Sequence, residues 1–147
     1  MTGSLQEMVL AANLRVVASG LVHLTWGNVS GLDADRGVFY IKPSGVAYGA
    51  LRAGDMVGVR LSDGAVIEGS LRPSSDTPTH LALYRAWAGL GVRGICHTHS
   101  AKATAFAQAG RELPCLGTTH ADHFYGPVPV CRSLTAEEVR LDYEGLT

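Results

Sequence analysis

The residues most able to do chemistry are His97 and His99, in the run Ile95-Cys96-His97-Thr98-His99. On an extended strand, positions i and i+2 face the same side, so both imidazoles can reach one point, as a metal ion requires. Ile95 shares their parity, while Cys96 and Thr98 face the other way. The plainer alternative is two histidines at the exposed end of a strand. A carboxylate would complete a three-ligand site. Asp76, in Ser74-Ser75-Asp76-Thr77-Pro78, is the candidate if its loop lies beside the histidines. On the residues alone, its place just before a helix is better read as an N-cap. Two neutral imidazoles and one carboxylate suit zinc or a similar divalent ion.

Three small polar turns could hold an anion: Gly27-Asn28, Ser44-Gly45 and Ser74-Ser75. Hydroxyl, amide and backbone N–H groups in such turns can cradle a phosphate without net positive charge. Such turns are also common connectors. Lys42 could add a point charge or sit as a solvated surface lysine. Asp122, in His120-Ala121-Asp122-His123, is either a general acid/base or a loop carboxylate. His80, one helical turn after Asp76, is expected on a helix face and not as a ligand.

The elements that must position these residues follow from periodicity. Leu5, Met8, Val9, Ala12 and Val16 recur at helical spacing, with Ser4 as N-cap. Val38 to Ile41 and Met56 to Leu61 are expected strands, with Asp63-Gly64 turning the chain into Ala65-Val66-Ile67. Thr77-Pro78 opens a helix running to about Ala88. Gly94 to His99 is expected as a strand, Ser100 to Gln108 as a helix, and Val128 to Cys131 as a short strand. Asp33 to Gly37 is expected as a turn. Thr135 with Glu138 has the capping-box pattern of a last helix. The mixture favours an α/β sandwich with helices packed on a sheet.

Composition bounds the function classes. The chain has 147 residues, 46% hydrophobic and 17% charged, with a formal net charge of −1. That is one globular domain, residues 1–147, without the basic field expected of a nucleic-acid or anionic-membrane binder. No apolar run reaches the roughly 20 residues a membrane helix needs. Gln6, Glu7 and Asn13 interrupt the N-terminal segment, so no signal peptide is expected. Cys96, Cys115 and Cys131, odd in number and without a CxxC pair, fit a reducing cytoplasm.

The stretches LTWGNVSGLD, GVFYIKPSGVAY, DMVGV, EGSLRPSSDTPTHLALYRA, ICHTHSAKATAFAQAG and GTTHADHFYGPVPVCR together resemble the class II aldolase/adducin-type sugar-phosphate family. They span nearly the whole chain in order. The resemblance is strongest to the family's L-ribulose-5-phosphate 4-epimerases, because the related aldolases typically carry Glu where this chain has Asp76. It implies a three-layer α/β/α domain, usually in a homotetramer with sites between subunits. It implies a divalent metal, zinc first, held by Asp76, His97 and His99. It further implies that Gly27, Asn28, Ser44, Gly45, Ser74 and Ser75 bind the substrate, mostly its phosphate, and that Asp122 is an acid/base group. The implied reaction interconverts L-ribulose 5-phosphate and D-xylulose 5-phosphate. C4 bears no acidic hydrogen next to the carbonyl, so inversion there requires cleavage and re-formation of the C3–C4 bond. Family members continue past the equivalent of Thr147 with a further metal histidine and a catalytic tyrosine. The chain is therefore expected to lack the family's C-terminal part, and Tyr143 is not that tyrosine. The alternatives are a ketose-phosphate aldolase or a non-catalytic adducin-like interaction domain.

Overall fold

The structure is a computed structural model and describes residues 3–137 and 140. Helix α1 covers Leu5–Ala18. Its start is set by a capping box: the Ser4 hydroxyl accepts from the Glu7 N–H at 3.2 Å, and the Glu7 carboxylate accepts from the Ser4 N–H at 2.7 Å. Two orphan donors of the first turn are thereby satisfied. Strands β1 (Asn28–Asp33), β2 (Val38–Ile41), β3 (Val57–Arg60), β4 (Val66–Glu68) and β5 (Gly94–His97) form one sheet in the order β4-β3-β2-β1-β5. Every neighbouring pair is antiparallel. The remaining helices are α2 (Thr77–Trp87), α3 (Ala101–Gln108) and α4 (Thr118–His123).

The two-residue period of the strands divides the core into two layers. Val38 and Tyr40 of β2 point to the α1 side, where they pack with Val9, Tyr48, Leu51 and Met56. Phe39 and Ile41 point the opposite way and pack with Leu32, Val57, Val59 and Tyr84 of α2. The result is the expected three-layer α/β/α sandwich. The Phe39 and Tyr84 rings meet at 5.2 Å between centroids, a contact worth about 0.5–1.5 kcal/mol beyond the buried area. Asn13, fully buried, fastens α1 to β1: its amide donates to the Val29 carbonyl at 2.9 Å and accepts from the Val29 N–H at 2.9 Å. It pairs with the strand as a backbone would.

Two expectations need correction, and one strand was not expected from the sequence. Asn28 to Asp33 is a central strand, although Gly, Asn, Ser and Asp have low strand propensity; its polar side chains are held by tertiary partners. Strand β5 ends at His97, so His99 lies beyond it, with its N–H donating to the Leu21 carbonyl at 2.9 Å. The Val128 to Cys131 strand reduces to a single bridge between Leu113 and Val128. Glu138 of the expected capping box and Tyr143 lie outside the described residues. Among the described residues no helix is long and apolar enough to cross a membrane.

Candidate active site

Antiparallel pairing brings the start of β1 to the same end of the sheet as the ends of β2 and β5. Asn28 is opposite His97, and Ser30 is opposite both Ile41 and Ile95. The chain leaving β2 therefore enters Lys42-Pro43-Ser44-Gly45 beside the chain entering β1 through Thr25-Trp26-Gly27. The loop before α2 docks alongside: Ser44 N–H donates to the Arg72 carbonyl at 2.9 Å, and Ser74 N–H donates to the Lys42 carbonyl at 3.0 Å. These segments enclose a cleft of ≈ 500 Å³. Gly27, Asn28, Ser44, Gly45, Ser74, Ser75, Asp76, His97 and His99 all line it, joined by Thr25, Trp26, Lys42 and Pro43.

One part of the cleft suits an anion. Lys42 is 2% exposed, so it is not a solvated surface lysine. Its ammonium donates to the Thr25 and Pro43 carbonyls at 3.3 and 3.2 Å and lies 4.9 Å from the centre of the Tyr48 ring. It has no carboxylate partner among the described residues, and burial lowers its pKa from the usual lysine value. A buried, unpaired cation favours an anionic ligand. Ser74 and Ser75 open the N-terminus of α2, where the helix dipole adds to the same preference. The Tyr48 hydroxyl donates to the Gly27 carbonyl at 2.7 Å and fixes the loop that carries Asn28; burial pushes its pKa up to about 12. Gly27 itself is required: its φ is +74°, and a Cβ there would meet Val22 Cγ1 at 2.5 Å and the His97 carbonyl oxygen at 3.0 Å.

The other part gathers the imidazoles and the carboxylate. The His97 and His99 Nε2 atoms are 3.0 Å apart, and their rings stack at 4.9 Å. Two nitrogens on one tetrahedral zinc at about 2.0–2.1 Å each would be about 3.3 Å apart. The spacing of the pair therefore fits a shared divalent ion. Asp76 stands at the N-cap position of α2, but its side chain makes no capping hydrogen bond. Its Oδ2 instead accepts from the Asn28 amide and lies 3.4 Å from His97 Nδ1. That nitrogen is the one turned away from His99. As placed, the carboxylate orients the His97 ring, in the manner of a carboxylate–histidine–metal arrangement. Among the described residues no three His, Cys, Asp or Glu side chains converge on one ion. Trp26, half exposed, tilts over His99 at 5.4 Å and forms part of the mouth of the cleft. Burial, followed by the neighbouring His97, lowers the pKa of His99, which favours its neutral form.

Behind the cleft lies a polar cluster. His80, 1% exposed, has Nδ1 2.7 Å from Ser30 Oγ, which is 2.8 Å from the Tyr84 hydroxyl. Burial pushes the His80 pKa down to about 4, so the ring is neutral at pH 7. His80 lies on α2 as expected, on a face of the helix that is buried.

Asp122 is not brought into the cleft; it lies exposed on α4. Trp26 and Tyr48 were missed by sequence reasoning. Tyr48, three residues past the Ser44-Gly45 turn, carries no signal that separates it from ordinary core. Trp26, next to Gly27-Asn28, could have been noted as an aromatic flanking a candidate anion turn.

A match to the Class II Aldolase and Adducin N-terminal domain covers residues 7–144. Among solved structures, the chain is similar to an L-fuculose 1-phosphate aldolase (24% identity, TM-score 0.80, covering 99% of this chain and 67% of that one). It is similar to the L-fuculose-1-phosphate aldolase of Thermus thermophilus (28%, TM-score 0.72, covering 89% and 64%). It is also similar to YgbL of Klebsiella pneumoniae, described as a candidate aldolase/epimerase/decarboxylase (26%, TM-score 0.74, covering 97% and 68%). The chain spans about two thirds of the length of these three structures.

Proposed function

Because the chain belongs to the class II aldolase and adducin N-terminal domain family, we propose that it is a metal-dependent sugar-phosphate enzyme acting as an L-ribulose-5-phosphate 4-epimerase. The observation that carries this reading is the division of one cleft into an anion-favouring part around Lys42, Ser74 and Ser75 and an imidazole–carboxylate part around His97, His99 and Asp76. A pentulose phosphate needs both.

In this reading the phosphate is held by Lys42, by the Ser74 and Ser75 groups at the start of α2, and by the Gly27, Asn28, Ser44 and Gly45 turns. His97 and His99 would hold a divalent cation, zinc first, with Asp76, a ligand by resemblance, orienting the His97 ring; the ion would supply Lewis-acid polarisation of the substrate's carbonyl oxygen. The C3–C4 bond breaks, the aldehyde fragment stays anchored by its phosphate, and attack on the aldehyde's other face re-forms the bond with C4 inverted. Keeping the fragment bound while it rotates is the task of the anion groups. Asp122 is proposed to exchange a proton with the C4 oxygen. Since it stands outside the cleft of its own chain, it would serve the cleft of another copy in a homo-oligomer, a homotetramer by resemblance.

Incubation of the protein and a divalent ion with L-ribulose 5-phosphate tests this directly: D-xylulose 5-phosphate is the expected product. A second reading, a ketose-phosphate aldolase, is favoured by the names of the two fuculose-phosphate aldolases the fold matches. Free aldehyde released without xylulose phosphate would select it. Asp76 in place of the aldolases' usual Glu favours the epimerase.

A further inference from the structure

Strand β1 and helix α2 face each other through two rungs. Asn28 and Ser30 lie on one face of β1, and Asp76 and His80, four residues apart, lie on one face of the α2 region. The first rung is the Asn28 amide donating to Asp76 Oδ2; the second is Ser30 Oγ against His80 Nδ1 at 2.7 Å. Two buried side-chain atoms lack a hydrogen-bond partner among the described residues: Asn28 Oδ1 and His80 Nε2. One sits on each rung.

The protons can be followed along the second rung. The Tyr84 hydroxyl, fully buried, has Ser30 Oγ as its neighbour at 2.8 Å. If Tyr84 donates to Ser30, the Ser30 proton is free for His80 Nδ1, and the neutral ring carries its own proton on Nε2. On the first rung the Asn28 Nδ2 group faces Asp76 and Ser74 Oγ, so Oδ1 is the acceptor left over. The two unpartnered atoms are thus a donor and an acceptor, and buried polar groups of this kind find partners.

We propose that His80 is a positioning residue whose Nε2–H reaches Asn28 Oδ1 through one bridging water. It would complete a chain Tyr84–Ser30–His80–Asn28–Asp76 from the core to the cleft. The chain sets the direction of the Asn28 amide. A flipped amide would turn Oδ1 against the Asp76 carboxylate and leave two acceptors facing each other; a donor at His80 Nε2 opposes that flip. The consequence for Asp76 and His97 rests on the function proposed above, whereas the hydrogen-bond chain itself does not.

Long-range proton–nitrogen NMR of the ¹⁵N-labelled full chain at pH 7 tests the chain without substrate or metal. His80 is expected as the Nε2–H tautomer with Nδ1 unprotonated; the opposite tautomer overturns the proposal. In His80→Phe the Asn28 side-chain amide resonances should shift or broaden, and in His80→Gln, which keeps a donor and an acceptor, they should return towards the wild-type positions. Unchanged Asn28 resonances in a folded His80→Phe protein also overturn it. If that variant does not fold, the wild-type tautomer decides. A correct tautomer in a protein that turns over no sugar phosphate would sink the enzymatic reading and leave this one standing.

Discussion

Replacing Gly27 with Ala tests the joint between the β1 entry and the end of β5. Two costs can be separated. Gly27 has a φ of +74°, and an L-residue there costs about 1–2 kcal/mol. A Cβ would also stand 2.5 Å from Val22 Cγ1 and 3.0 Å from the His97 carbonyl oxygen. Val22 can give way only by repacking, and the carbonyl belongs to a strand end; overpacking of this kind costs about 1–3 kcal/mol. The expected loss is therefore about 2–5 kcal/mol, a large share of the roughly 5–15 kcal/mol typical of a domain. Gly37→Ala is the control, because Gly37 has a φ of +63° and open space where its Cβ would go. It should lose only the first part. Urea unfolding of both variants and the parent, read as midpoint shifts at constant slope, gives the difference, expected at about 1–3 kcal/mol. Equal losses in the two variants would refute the close-approach reasoning.

His97→Ala should abolish divalent-ion retention measured by elemental analysis, while Asp76→Asn, if the carboxylate acts through His97, should weaken it by about 10–100-fold. Retention of the ion by His97→Ala would remove the imidazole pair from the site. Lys42→Met should leave stability unchanged or raise it, since an unpaired buried cation is replaced by an apolar side chain of similar length. The same change should weaken inorganic phosphate binding, followed by calorimetry, by about tenfold or more, as expected for the loss of a charge-assisted bond of about 1.5–3 kcal/mol. Acid should destabilise the fold through His80: between its ordinary 6.5 and about 4 the unfolded chain binds a proton that the folded one refuses, so stability rises with pH across that window. The contribution is fully present above pH 6.5 and reaches a loss of about 3 kcal/mol near pH 4. In a folded His80→Phe protein the acid limb of a stability–pH profile should be shallower, and an unchanged limb would count against the buried neutral ring.

Local rules made part of this protein readable from its residues alone. Ser4 and the helical spacing of Leu5, Met8, Val9, Ala12 and Val16 announce the first helix, because a cap and a periodic face are local signals. Val38 to Ile41 reads as a strand because its side chains are β-favouring, and the shared parity of Ile95 and His97 follows from the strand period. The ordered set of short motifs carried the family, since their combination is specific where each piece is common. Long-range packing decided the rest. Asn28 and Ser30 look like turn residues until α2 supplies Asp76, Ser74 and His80 as partners. Asp76 looks like an N-cap until His97 arrives from a strand 21 residues later in the chain. Lys42 looks like a surface lysine until the Thr25 and Pro43 carbonyls and the Tyr48 ring enclose it. In each case the residue type states which bonds a side chain can make. Only the folded chain states which partners are within reach, because a polar group's role is set by the water it loses and the atoms that replace it.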